Sequence, residues 1–372
     1  MKNDPIAMPP VEPMTANHHS AADAEPYAIQ AHHLLCAVCA RAGYADPPCG
    51  RKAVAALLEA LWSYPFLPLL IQADVDVARA HYAGVYEQCK EHPLPTDFAA
   101  RNAAAAERRK DLEVCRLLGI YPNTVLPAYH AYLILFSRLP TLEGMCCALS
   151  GDTAVLPECP NARSGGYERI VSAPRTGLQQ QNNQGEELAG EGIWAMVRPR
   201  TRQEMHAAKQ TSAAFIREKA QCLYIRPAHA LCILCTRQAM EPLNEDNLVE
   251  LRQRMEADPG IPVTLSEGCC MVCDPCNVYH PGEHLCYHAH PKNVLRDLRM
   301  LEILGLAPGT TLPARELYRR IFEKIPHCST VCGWGDGSDT TPFWAPCGSW
   351  QTTALEDARA EGFLQDNCEG RL

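Results

Sequence analysis

Between residues 295 and 325 the apolar side chains recur at three- and four-residue steps. Leu295, Leu298, Leu301 and Leu304 form one stripe that stops at Gly305, and Leu317, Ile321, Phe322 and Ile325 form a second. This spacing predicts two amphipathic helices facing a core, the second opened by Thr310, Thr311 and Pro313. Upstream the pattern shortens. LYIR (223–226) and the β-branched run IPVTL (261–265) read as strands. Between them, His229, Cys232 and Cys235 stand at i, i+3 and i+6, along one side of two helical turns. Asn244, Glu245 and Asp246 mark another helix start, Pro259-Gly260 its stop, and a further helix is expected around 200–220. Helices and short strands mixed in this way give an α+β fold.

Laid over each other, the two halves of the chain repeat this pattern. IQAHHLLCAVCAR (29–41) aligns without a gap on IRPAHALCILCTR (225–237), and residues 111–140 align likewise on 297–326. YPFLPLLIQAD (64–74) keeps the proline spacing of DPGIPVTLSEG (258–268). The expectation is a tandem duplication of two related Cys-containing α+β units. A Pro-rich, disordered tail covers 1–26 and the first, degenerate unit 27–172. A polar linker and helix then cover 173–221, before the second, Cys/His-rich unit at 222–365.

Chemistry enters with the cysteines. The 372 residues include 20 of them, yet the N-terminus shows no secretory h-region, so metal ligation in a reducing cytoplasm is expected over disulfides. A net charge of −9 with no basic cluster argues against nucleic acid, and no apolar run is long enough to span a membrane. One cysteine set occurs in both halves: Cys36, Cys39, Cys146 and Cys159 in the first, Cys232, Cys235, Cys332 and Cys347 in the second. Four thiolates suit tetrahedral zinc or the corners of a cubane. The competing reading for thiols on apolar helix faces is burial as small hydrophobes.

A second set belongs to the later half alone. GCCMVCDPCNVYHPGEHLCYHAH (268–290) holds five cysteines and four histidines, whereas the first half places roughly Val75, Asp76, Arg79 and Tyr82 opposite its leading cysteines. Cys270, Cys273 and Cys276 give C-x2-C-x2-C, with His280-Pro281 where a bacterial ferredoxin run has Cys-Pro. The alternative register, Cys269, Cys273 and Cys276, matches the C-x3-C-x2-C of radical S-adenosylmethionine enzymes, but too little chain follows for their barrel. Zinc remains the rival to an iron-sulfur cluster, because two cysteines can be completed by His280, His284 or His288.

The order IRPAHALC (225–232), LSEGCCMVC (265–273), Cys286 and LEILGLAPG (301–309) resembles the domain of unknown function 1284, a family of small proteins predicted to bind iron-sulfur. The resemblance covers much of the second unit and implies a ligand set of Cys232, Cys270, Cys273 and Cys286. It names no reaction. Two roles follow from the sequence: a redox or sensory iron-sulfur protein working with an electron-transfer or other protein partner, or a zinc-stabilised adaptor. A hydrolytic zinc enzyme is disfavoured, since Glu267 and Glu283 lack an HExxH context, and no Ser-His-Asp, GxxxxGK[ST] or GxGxxG signature occurs. Asp336, on a Gly-rich loop, fails the EF-hand spacing.

Overall fold

Leu223 and Ile225 are fully buried and Tyr224 between them is exposed, the alternation expected of a strand covered on one face. In the computed structural model this strand is one of eight, set among twelve α-helices in the described residues, and the fold is α+β. The structure describes residues 25–43, 51–64, 66–73, 98–146, 159, 161–172, 192–197, 200–237, 246–282, 284–286, 290–334, 344, 346 and 351–365. The first half holds β1 (Tyr27–Gln30), α1 (His33–Arg41), α2 (Arg51–Ser63), β2 (Pro68–Gln72), α3 (Phe98–Leu118), β3 (Thr124–Pro127), α4 (Ala128–Arg138) and α5 (Gly166–Val171). The second holds α6 (Arg202–Glu218), β4 (Leu223–Ile225), α7 (Pro227–Cys235), α8 (Leu248–Ala257), β5 (Pro262–Leu265), β6 (Tyr279–His280) and β7 (Leu285–Cys286). It continues with α9 (His290–Leu304), β8 (Thr311–Pro313), α10 (Ala314–Lys324), α11 (Ser329–Cys332) and α12 (Ala354–Ala360).

Each half builds a three-stranded sheet of the same order and sense. β1 runs parallel to β2 and β3 antiparallel to it; β4, β5 and β8 repeat the arrangement. The registers correspond as well. Ile29 pairs with Ile71 where Ile225 pairs with Leu265, and Pro68 with Pro127 where Pro262 pairs with Pro313. Side chains follow suit: the Tyr132 hydroxyl donates to the Leu34 carbonyl at 3.5 Å, and Tyr318 to Ala230 at 3.0 Å. Asp111 accepts the His32 amide at 2.7 Å, and Asp297 accepts that of Ala228 at 2.9 Å. Past α3 and α9 the chain turns at Gly119 (φ 70°) and Gly305 (φ 68°), a left-handed conformation in which a side chain is strained.

The helical stripe of α9 needs correction. Leu301 and Leu304 are buried, but Leu295 and Leu298 are 39% and 47% exposed. A strict three-residue step falls about 60° short of a full turn each time, so Leu295 and Leu304 lie on opposite sides of the helix. Met300 shares the buried face. On α10, Leu317, Ile321 and the following Ile325 are buried as expected. Thr311 and Pro313, read as a helix opening, form β8 instead, because their backbone pairs with β5 and the helix starts only at Ala314. The helix expected from Asn244 begins at Leu248, with Asp246 accepting the Leu248 amide.

Within the stretch read as linker and helix, Ile193, Trp194, Met196 and Val197 are buried in the core of the first half. The polar segment before them lies outside the described residues. The helix α6 that follows is fixed by a capping box, Thr201 accepting the Glu204 amide at 3.0 Å and Glu204 accepting that of Thr201 at 2.7 Å. Among the described residues no helix is long and apolar enough to cross a membrane.

Candidate metal centre

β5 delivers the chain to Gly268, whose φ of 78° turns it back across β4, and the Met271 amide then donates to the Tyr224 carbonyl at 3.2 Å. Two three-residue turns follow. The Cys273 amide donates to the Cys270 carbonyl and the Cys276 amide to that of Cys273, both at 2.8 Å. At this spacing residues i and i+3 lie above one another, which is the physical content of C-x2-C-x2-C. The chain then forms the β6–β7 ribbon, where Tyr279 pairs with Cys286 and His280 with Leu285.

α7 supplies the other wall. Its His229 Nδ1 lies 3.1 Å from Cys270 Sγ, and the donor atoms of His229, Cys270 and Cys273 all lie within 4.8 Å of one another. Cys269, the residue before Cys270, is coupled electrostatically to Cys273. Cys270 and Cys273 are buried, and the guanidinium of Arg226, itself 3% exposed, acts electrostatically with Cys270, Cys273 and Cys286. Burial, Arg226 and Arg296 together lower the His229 pKa to about 3, so its imidazole is neutral and keeps a lone pair. Hydrogen bonds from Cys269 and Cys270 push the Cys273 thiol well below its ordinary value. The thiols of Cys269, as a donor to Cys273, and of Cys270, by burial, are pushed the other way.

The remaining candidates separate into other environments. Cys276 is hydrogen-bonded to Asn277 Oδ1 at 3.8 Å, and burial raises its pKa to about 12. Cys286 receives Asn293 Nδ2 at 3.8 Å and stays within electrostatic reach of Cys269 and Cys276. His280 points toward the first half, its ring 5.9 Å from that of Tyr64. Cys232 acts on the Tyr318 phenol, as Cys36 does on that of Tyr132. Cys235 and Cys332 lie with Cys328 in a separate group. Cys39 and Cys146 both act on Tyr167, and the Cys159 amide donates to the Cys146 carbonyl at 3.0 Å. Cys347, His288, Asp336 and the first-half segment carrying Asp76 and Arg79 lie outside the described residues.

Of the four cysteines implied by the family resemblance, the structure brings Cys270 and Cys273 together, with Cys286 in electrostatic reach and Cys232 acting on the Tyr318 phenol. His229 and Cys269 were absent from the expected ligand set. The signal for His229 was in the sequence, one helical turn before Cys232 and matched by His33 in the first half. Also unforeseen is Arg200. Its guanidinium donates to the carbonyls of Asp274 and Cys276, the latter at 3.3 Å, and stacks over Tyr279 with 5.7 Å to the ring centroid. The cysteine turns are thus gripped from outside. Comparisons with protein-family models, with curated proteins and with solved structures find no match to this chain.

Proposed function

We propose that the second half is a metal-binding unit that holds one thiolate-preferring ion, zinc foremost, on His229, Cys269, Cys270 and Cys273. The observation that carries this reading is the compactness of the donors, all three of His229, Cys270 and Cys273 falling within 4.8 Å. Ligands 2.0–2.3 Å from a tetrahedral zinc stand roughly 3.3–3.8 Å from one another, a separation this cluster reaches with small side-chain adjustments. The neutral imidazole and the one easily ionised thiol supply what such an ion requires. Arg226 balances the negative charge that several thiolates bring to a shared ion. The metal then fixes a loop whose work is partner binding, in a chain whose halves arose by tandem duplication; the matched sheet registers support that origin.

A second reading keeps the iron-sulfur cluster with a redox or sensory role. It is favoured by the common influence of Cys270, Cys273 and Cys286 on Arg226, which draws a wider ring of thiols around one charge. Anaerobic purification, followed by elemental analysis for zinc, iron and acid-labile sulfide, tests both. One zinc per chain in colourless protein, lost in Cys273→Ser, is the expected result. Iron with equimolar sulfide and visible absorption would establish the second reading, and protein that binds neither would refute both.

A further inference from the structure

Asn247 stands at the start of α8, where an asparagine ordinarily turns its side chain back to accept an amide of the first helical turn. Here it makes no such bond. Asp246 instead accepts the first helical amide, that of Leu248, at 2.9 Å, and the Asn247 side chain is turned onto the cysteine loop. Its Nδ2 donates to the Met271 carbonyl at 2.7 Å and to Ser212 Oγ of α6 at 2.8 Å, and its backbone amide donates to the Val272 carbonyl at 3.3 Å. A carbonyl only accepts, so Met271 fixes which way the side-chain amide points. The Ser212 hydroxyl donates to the Ala208 carbonyl at 2.7 Å and therefore meets Asn247 as an acceptor. Asn247 is fully buried, and its Oδ1 accepts no hydrogen bond among the described residues. An apolar side chain would spare the helix that unsatisfied oxygen; what it would not supply are the donors.

We propose that Asn247 is a positioning residue for the metal centre, holding the peptides between Cys270 and Cys273 so that both sulfurs serve one ion. This inference rests on the metal-binding reading above. Two residues separate the two ligand cysteines, and the direction of each Cα–Cβ bond follows from the tilt of the peptide units between them. Every carbonyl of that turn is held: that of Cys270 by the Cys273 amide at 2.8 Å, those of Met271 and Val272 by Asn247. On its other side Met271 is held by β4, its amide donating to the Tyr224 carbonyl at 3.2 Å. α6 backs the clamp, since Lys209, on the same helix as Ser212, places its Nζ 2.8 Å from the carboxylate of the buried Glu250 on α8. The first half supplies an internal comparison. Counting back without a gap from the matched prolines, Pro68 and Pro262, Val54, Leu57 and Leu61 of α2 fall on Leu248, Leu251 and Met255 of α8, and all of them are buried. In that register Ala53 stands for Asn247 and Ala56 for Glu250, and both alanines are exposed. The core positions of the helix are kept in both halves, whereas the amide and the carboxylate occur only in the half that carries the cysteine turns.

The test is titration of the full-length, metal-free protein with cobalt(II), which takes the place of zinc at thiolate sites and reports their geometry in the visible spectrum, in competition with a chelator under anaerobic, reducing conditions. Asn247→Ala should weaken binding by about 10- to 100-fold and alter the cobalt absorption bands, with one ion still bound at saturation. Ser212→Ala, which removes the support behind Asn247 and leaves its bonds to the loop, should fall between that variant and the wild type. Leu251→Ala, a core truncation one turn along the same helix, should lower thermal stability and leave affinity and spectrum as in the wild type. Should circular dichroism show Asn247→Ala unfolded, the comparison of Ser212→Ala with Leu251→Ala decides: a weakening confined to Ser212→Ala supports the clamp, and equal affinities overturn it. Wild-type affinity and spectrum in folded Asn247→Ala, or a loss in Leu251→Ala as large as in Asn247→Ala, overturns the proposal while the metal reading stands. A wild-type chain that binds neither cobalt nor zinc refutes that reading and this inference with it.

Discussion

Arg226 Nε stands 3.0 Å from Asp297 Oδ2, with side chains only 3% and 8% exposed. The same carboxylate accepts the Ala228 amide, so it both closes the start of α7 and compensates a buried cation at the edge of the thiol cluster. Removing one member of a buried ion pair leaves the other uncompensated and costs about 3–5 kcal/mol. Asp297→Asn should therefore lower the urea-unfolding free energy of the metal-free protein by that order. A loss below about 1 kcal/mol would mean that the neighbouring thiolates, rather than Asp297, neutralise Arg226.

His229→Ala and Cys270→Ser should each weaken zinc retention, read as a shift in competition with a chromophoric chelator, and Cys273→Ser should abolish it. Cys36→Ser, on the corresponding helix of the first half, and Cys49→Ser and Cys368→Ser, which have no counterparts in the other half, should leave it unchanged. If Cys286→Ser proves as damaging as Cys273→Ser while Cys269→Ser is silent, the fourth ligand is Cys286.

Arg200 touches no proposed ligand side chain, yet it holds the backbone of the turns that carry them. Supporting contacts of this kind commonly change metal affinity by 10- to 100-fold. Arg200→Ala should accelerate zinc release about tenfold without altering the stoichiometry at saturation. Arg200→Lys, which keeps the charge but loses the planar fork, should fall between the two.

Cys115 lies in the core of the first half, and burial together with nearby Asp111 raises its pKa to about 11. In the folded protein at pH 8 it is thus a protonated, enclosed thiol. Iodoacetamide should leave it unmodified at that pH and label it in urea. Because the folded value lies above the ordinary one, the folded state holds a proton that the unfolded chain releases, so this group's contribution to stability falls as pH rises from about 9 toward 11. Labelling of native Cys115 at pH 8 as fast as of unfolded chain would contradict the enclosure.

Strands β4 and β5, helix α7 and the inward face of α10 were legible because each advertises itself over a few neighbouring residues: a β-branched run, a His/Cys spacing of one helical turn, apolar steps of three and four. The repeated pattern also aligned residues that occupy matching places in the two sheets. β8 escaped because three residues acquire strand character only from a partner far along the chain. α9 was read by counting steps without following their rotation, and so two exposed leucines were assigned to a core. In the candidate metal centre, local spacing pointed to the cysteine turns but not to their company. His229 approaches through the packing of α7 on the loop, and Arg200 through the path of the chain between the halves; neither is a property of a short window.

The cysteine ribbon is not the private property of the second half. Val278 packs against the core of the first, and His280, two residues on, meets Tyr64. The ribbon that follows the cysteine turns is therefore braced from both halves, and Tyr64 belongs to its surroundings although it lies far away in the sequence.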